Sequence, residues 1–166
     1  MKNLYIDAEW FPNQQIFLIG IAFNKSKIDS LYGRALSKRN FMSYLKQVNG
    51  YIFFYGPDIG MCEKYFGIDI RNNYRCINLI RITRSYMPKL KSWKLAYIEK
   101  HLGIKRREKK YKESIYKIYG DWFHPKFREH VIIYNVDDVR NLIIMKEKLF
   151  AKYNIKSKDL EALVMQ

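Results

Sequence analysis

Asp7 and Glu9 stand one residue apart at the end of an apolar run, Leu4-Tyr5-Ile6-Asp7-Ala8-Glu9-Trp10. In extended backbone successive side chains alternate between faces, so these two carboxylates share one face and Tyr5 leads into it. Like charges held that close repel unless a proton or a cation lies between them. A hard divalent ion such as Mg²⁺ is the natural occupant, because it takes oxygen ligands and completes its shell with substrate phosphate. The same stretch also reads as a solvated acidic strand end, since so short a pattern recurs by chance. Asp58, just after the Gly56-Pro57 turn, repeats the arrangement of a carboxylate following an apolar run. Its ordinary reading is a helix-start residue that satisfies free backbone N–H groups. Tyr134 and Asp138, four apart, share one face of any helix that holds them. A capped or kinked helix with a surface Asp would account for that pair equally.

The elements that must carry these groups follow from the hydrophobic pattern. Residues 15–23 form an apolar run fit for a strand buried on both faces, turns lie at 11–14 and 24–27, and residues 28–32 make a third, shorter strand. An antiparallel meander with the acidic strand first results. Ser37 can cap a helix whose Phe41, Tyr44, Leu45 and Val48 recur at helical spacing up to Asn49-Gly50. Residues 51–55, continuously apolar, suit a central strand reached by a helical crossover and therefore parallel to the first. Asp58 then opens a helix with Met61, Cys62, Tyr65 and Phe66, which places Glu9 and Asp58 together outside the carboxyl ends of parallel strands. Residues 75–82 read as a further strand. Ser92 opens a helix with Trp93, Ala96, Tyr97 and Leu102 inward, stopped by Gly103. Pro125 starts a helix to residue 133 that continues or restarts over 135–153, and residues 157–164 add a terminal helix. With no repeat, linker or low-complexity segment, the pattern predicts a single domain over 1–166.

Of the 166 residues 48% are hydrophobic and 28% charged, which excludes a disordered chain. No apolar run approaches the ~20 residues of a membrane helix. The amino terminus shows no secretory pattern, so a cytoplasmic protein is expected, in the host interior if viral. Abundant Lys, Ile and Tyr resemble the usage of heat-living archaea and their viruses. Cys62 and Cys76 lack metal-ligand spacing and read as buried thiols. The net charge of +15 attracts a polyanion, making nucleic acid the expected partner without separating DNA from RNA. Six of the eight residues 105–112 are cationic. Lys105, Arg106, Arg107, Lys109 and Lys110 are thus candidate phosphate contacts on a loop or helix edge, or else a solvated face.

Together, Asp7 with Glu9, Asp58, and Tyr134 with Asp138 resemble the DEDD exonucleases of the ribonuclease-H-like superfamily, in the branch whose third motif is Y-x-x-x-D. The segment Ser92-Trp93-Lys94-Leu95-Ala96-Tyr97-Ile98-Glu99-Lys100-His101-Leu102-Gly103-Ile104 is similar to the helix before a basic segment in YprB-like predicted exonucleases. The similarity spans residues 3 to about 150 as an ordered series of motifs. It implies an α/β ribonuclease-H-like fold, with a mixed central sheet of an antiparallel meander followed by parallel strands and helices on both faces. It also implies two Mg²⁺ or Mn²⁺ ions held by Asp7, Glu9, Asp58 and Asp138, with nucleotides removed from a 3′ end of single-stranded DNA or RNA. Tyr134 would position the nucleophile. Two metals can activate water and neutralise charge developing on a phosphate. Phe54-Tyr55-Gly56-Pro57-Asp58 departs from the family, which usually places Asn shortly before the second Asp, and Glu63 is the nearest substitute. Trp10 stands where relatives carry a small hydroxyl residue. Trp10 and Phe11 either stack on a terminal base or cover the core edge. A nucleic-acid-binding protein with a degraded site and an endonuclease of the same fold remain the alternatives.

Overall fold

The computed structural model describes residues 1–107, 110–111 and 115–164. Five strands form one sheet: β1 (Leu4–Trp10), β2 (Ile16–Ala22), β3 (Ile28–Tyr32), β4 (Tyr51–Phe54) and β5 (Arg75–Asn78), in the order β3-β2-β1-β4-β5. β1, β2 and β3 pair antiparallel, whereas β4 and β5 run parallel to β1. This is the mixed sheet expected from the meander and the crossover, and it has the arrangement that the family resemblance implies.

Helices cover both faces. α1 (Lys38–Leu45) and α2 (Asp58–Phe66) bury Phe41, Leu45, Ile59, Cys62 and Phe66 against Leu4, Ile6 and Ile52. On the other face α3 (Leu79–Tyr86), α4 (Leu95–His101) and α6 (Pro125–Tyr153) pack Ile82, Ile98, Val139 and Leu142 onto Tyr5 and Phe53. α5 (Ile115–Phe123) closes a third cluster, in which Ile118 and Trp122 meet Phe17 and Leu18. The short α7 (Ser157–Glu161) follows, ending before the expected residue 164. Ser37 Oγ accepts from Asn40 N at 3.3 Å, capping α1 as its sequence predicts. Both cysteines are buried free thiols. Among the described residues no helix is long and apolar enough to cross a membrane.

Two further boundaries differ from the sequence expectation, and α5 was not among the expected elements. The strand predicted over 75–82 stops at Asn78, where Asn78 Oδ1 accepts from Ile80 N at 3.2 Å and opens α3. A short apolar run suits strand and buried helix alike, so periodicity could not find that cap. α4 begins at Leu95, three residues beyond Ser92, because Lys94 is the extended N-cap residue. Of the two forms the sequence left open for the long helix, α6 takes the continuous one, 29 residues without interruption. Pro125 occupies its first turn, where the missing N–H costs nothing.

Candidate active site

The alternation of β1 turns Asp7 toward α6, and β2 leaves room for the helix. Gly20 is the cross-strand partner of Asp7. A Cβ on Gly20 would lie 2.3 Å from Asn135 Oδ1 and 2.6 Å from Val139 Cγ2, so only glycine lets α6 sit this close to the sheet. Asn135 uses that proximity. Its Nδ2 donates to Asp7 Oδ2 at 2.7 Å and to the Asp7 carbonyl at 3.3 Å, tying the middle of α6 to β1. One helical turn further on, Asp138 enters the same space. Carboxylate oxygens of Asp7, Glu9 and Asp138 all lie within 4.8 Å of one another. The β1–β2 register shifts between Glu9 and Trp10, so regular pairing ends just past the acidic pair.

Asp58 is the first residue of α2, directly after the N-cap residue Pro57. Its side chain is buried, and among the described residues Oδ2 has no hydrogen-bond partner. Asn78 holds the turn before it, accepting from Gly56 N at 3.0 Å and donating to Gly56 O at 2.7 Å. Glu63 is engaged elsewhere. Its carboxylate accepts from Ile70 N, Arg71 N and the Arg71 guanidinium at 2.6–3.0 Å, bracing the loop after α2.

Burial, followed by mutual repulsion, pushes the carboxyls of Asp7 and Glu9 well above the ordinary carboxylate range. Burial does the same to Asp58, against the pull of the Tyr55 backbone. Burial raises Asp138 to about 7 while Arg106 works in the opposite direction. Asp7, Glu9 and Asp138 are hard oxygen donors of the kind a divalent ion takes, and Asp58, with its orphaned oxygen, stands outside that group of three.

The structure adds a cation that the sequence pattern assigned to a different task. Arg106, with a side chain only 6% exposed, is ion-paired with both Glu99 and Asp138. Its Nη2 donates to Glu99 Oε1 at 2.9 Å, and its guanidinium lies 5.0 Å from the centre of the Tyr134 ring. Asn141 Nδ2 donates to the same Glu99 oxygen at 2.9 Å. Burial opposes the charge on Arg106, yet Asp138 and Glu99 keep it firmly protonated. Tyr134 is half-buried beside Asp138, edge-on to Tyr111, and burial pushes its phenol far above the normal range. Asp137, the neighbour of Asp138, points elsewhere and pairs with Arg107 and Arg140.

The basic run is therefore not one solvated face. Lys105 is exposed, Arg106 is buried in the ion-pair network, and Arg107 Nε and N both bond Asp137 at 2.8 Å. Lys110 pairs with Asp121, and Lys109 lies outside the described residues. Trp10 is half-buried against the α1–α2 core, and Phe11 packs on Phe17, Tyr119 and Phe123. Sequence reasoning missed Asn135, Glu99 and Asn141. Each is a polar residue on an otherwise apolar helix face, which was the available signal.

A family model described as the RNase_H superfamily matches residues 4–150. No curated protein matches the chain by sequence. Among solved structures the chain is similar to one described as the apo form of a nuclease, with TM-score 0.72 and 16% identity over 97% of this chain and 78% of that one. It is also similar to Brucella melitensis NrnC, with TM-score 0.71 and 16% identity over 98% of this chain and 79% of that one. The same Brucella melitensis protein bound to pGG gives TM-score 0.67 and 15% identity, covering 98% and 79%.

Proposed function

The chain belongs to the RNase_H superfamily, and on that footing we propose that it is a cytoplasmic, metal-dependent 3′→5′ exonuclease that hydrolyses phosphodiester bonds of single-stranded DNA, with RNA as a second substrate. The observation that carries this reading is the convergence of Asp7, Glu9 and Asp138 to within 4.8 Å at the end of β1. Asp58, whose Oδ2 is unpartnered among the described residues, completes the donor set. These four side chains would hold two divalent ions, Mg²⁺ or Mn²⁺, which when bound supply water activation and neutralisation of phosphate charge.

The chain's own residues do the rest. Asn135 orients the Asp7 carboxylate by donating to one oxygen, leaving the other free as a ligand. Tyr134 remains a neutral phenol at working pH, able to accept from and donate to the attacking water near Asp138. Arg106, itself paired with Glu99, holds Asp138 through an ion pair. The +15 surface supplies binding that does not depend on sequence. A single strand is the favoured substrate, because a 3′ end must enter the carboxylate pocket unpaired. The Brucella melitensis structure bound to pGG supports a short nucleic-acid ligand for this fold.

Incubating end-labelled single strands with Mg²⁺ or Mn²⁺ tests the reading. A ladder shortening from the 3′ end is expected, and an internal cut would point to an endonuclease. Retention without cleavage would favour the second reading, a binding protein with a degraded site. The altered second motif and the Arg106 charge already seated on Asp138 are the observations on its side.

A further inference from the structure

α5 carries large apolar side chains on both its inner and its outer side, interrupted by Lys117, Gly120 and Asp121. Its inner face buries Ile118 and Trp122, whereas Ile115, Tyr116 and Phe123 stand 50%, 77% and 69% exposed on the outside. Among the described residues only Met1 and Tyr32 are other large hydrophobic side chains so displayed, and Tyr32 meets Trp122 edge-on at 5.9 Å. Large hydrophobic side chains clustered in solvent on one helix mark a surface that calls for an occupant.

The rings form a connected surface. Tyr116 lies 6.2 Å from Tyr119, Tyr119 lies 5.7 Å from Phe11, and Phe11 stacks on Phe123 at 5.2 Å with their planes 9° apart. Phe11 follows Glu9 by two residues, so the surface abuts the carboxylate cluster. Glu9 also acts on Tyr119, adding to the burial that raises its phenol. Exposed lysines flank the rings at Lys117 and Lys126.

We infer that the outer face of α5, with Tyr116, Tyr119 and Phe123 continued by Phe11, is a stacking platform for the bases of single-stranded nucleic acid next to the carboxylate site. The inference rests on the proposed nuclease reading and gives that site a place for the strand's bases. On α5 Tyr116 and Phe123 are exposed and Tyr119 is half-buried, and flat rings receive any base without sequence preference. Charge also favours this occupant over a second copy of the chain, because two molecules of net charge +15 repel whereas a polyanion is drawn in.

The test measures affinity in chelator, so that nothing is cleaved, for a labelled single strand and for an abasic strand of equal length. Tyr116→Ser combined with Phe123→Ser is expected to weaken the base-bearing strand by about tenfold or more, on the usual scale of base–aromatic stacking. Binding of the abasic strand should not change, and Phe123→Trp should keep the parent affinity. Equal losses on both strands, or no loss on either, would overturn the platform. So would sedimentation showing an oligomer that the double variant dissociates while base-dependent binding survives. If the parent cleaves nothing with Mg²⁺ or Mn²⁺, the nuclease reading falls, yet the base-against-abasic contrast still decides whether α5 stacks bases.

Discussion

Asn135 Nδ2 and Asp7 Oδ2 are 2.7 Å apart, and this bond joins the central strand to the helix that carries Asp138. Its geometry depends on the missing side chain at Gly20. Gly20→Ala would place a methyl 2.3 Å from Asn135 Oδ1, and Asn135 is fully buried and cannot swing away. The expected outcome is a loss of about 1–3 kcal/mol in urea unfolding, the usual cost of overpacking. Weaker Mn²⁺ binding by calorimetry should accompany it, since α6 must move off β1 with Asp138 aboard.

The crowded carboxylates should make the metal-free protein less stable as pH rises. Asp7, Glu9 and Asp58 are raised well above their ordinary values in the fold, and Asp138 to about 7. Between the unfolded values near 4 and those raised values, the folded protein binds more protons than the unfolded chain, so stability falls with increasing pH. Melting temperatures in chelator should therefore drop between about pH 5 and pH 8. Mg²⁺ or Mn²⁺ should flatten that decline, and Asp7→Asn should raise the melting temperature at pH 8 in chelator. A metal-free melting temperature that climbs over the same interval would mean that the acids are not charge-starved.

Arg106 should behave as a structural cation. Arg106→Met leaves the buried Glu99 and Asp138 without their partner, and breaking a buried pair from one side costs about 3–5 kcal/mol. Lys105→Ala, on an exposed side chain, should stay within about 0.5 kcal/mol of the parent. Urea unfolding of both variants separates the two roles, and equal stabilities would return Arg106 to the solvated surface.

At the second carboxylate motif, Asp58→Asn should abolish cleavage while Glu63→Gln retains it. The reason is that Glu63 is committed to Arg71 and two backbone amides, whereas Asp58 keeps an unpartnered oxygen. Glu63→Gln should instead lower the melting temperature. Digestion of a labelled strand across a range of Mn²⁺ concentrations provides the comparison, and the reverse pattern would move the metal assignment to Glu63.

Tyr134→Phe removes one hydroxyl and keeps the ring against Tyr111 and Arg106. Turnover should fall by roughly 10²- to 10⁴-fold, the scale of a positioned hydrogen-bonding or acid–base group. Mn²⁺ affinity should hold, because a neutral phenol is not part of the acidic donor set. Cleavage at the parent rate would reduce Tyr134 to a packing residue.

Helices α3 and α5 were not legible in the chain, whereas the order of the strands, the pairing of Asp7 with Glu9 on one face, and the shared helix face of Tyr134 and Asp138 were. Each depends only on local periodicity, two in a strand and 3.6 in a helix. Tertiary structure alone decided how far apart these groups lie, because that distance depends on Gly20 admitting Asn135 and on α6 running unbroken past β1. It also divided the basic run, burying Arg106 between Glu99 and Asp138 while leaving Lys105 in solvent. Neighbouring lysines and arginines look alike in a charge count. Which of them is buried follows from contacts across 7 residues to Glu99 and from the ion pair with Asp138, and no local pattern encodes an interaction between segments that meet only when the chain folds.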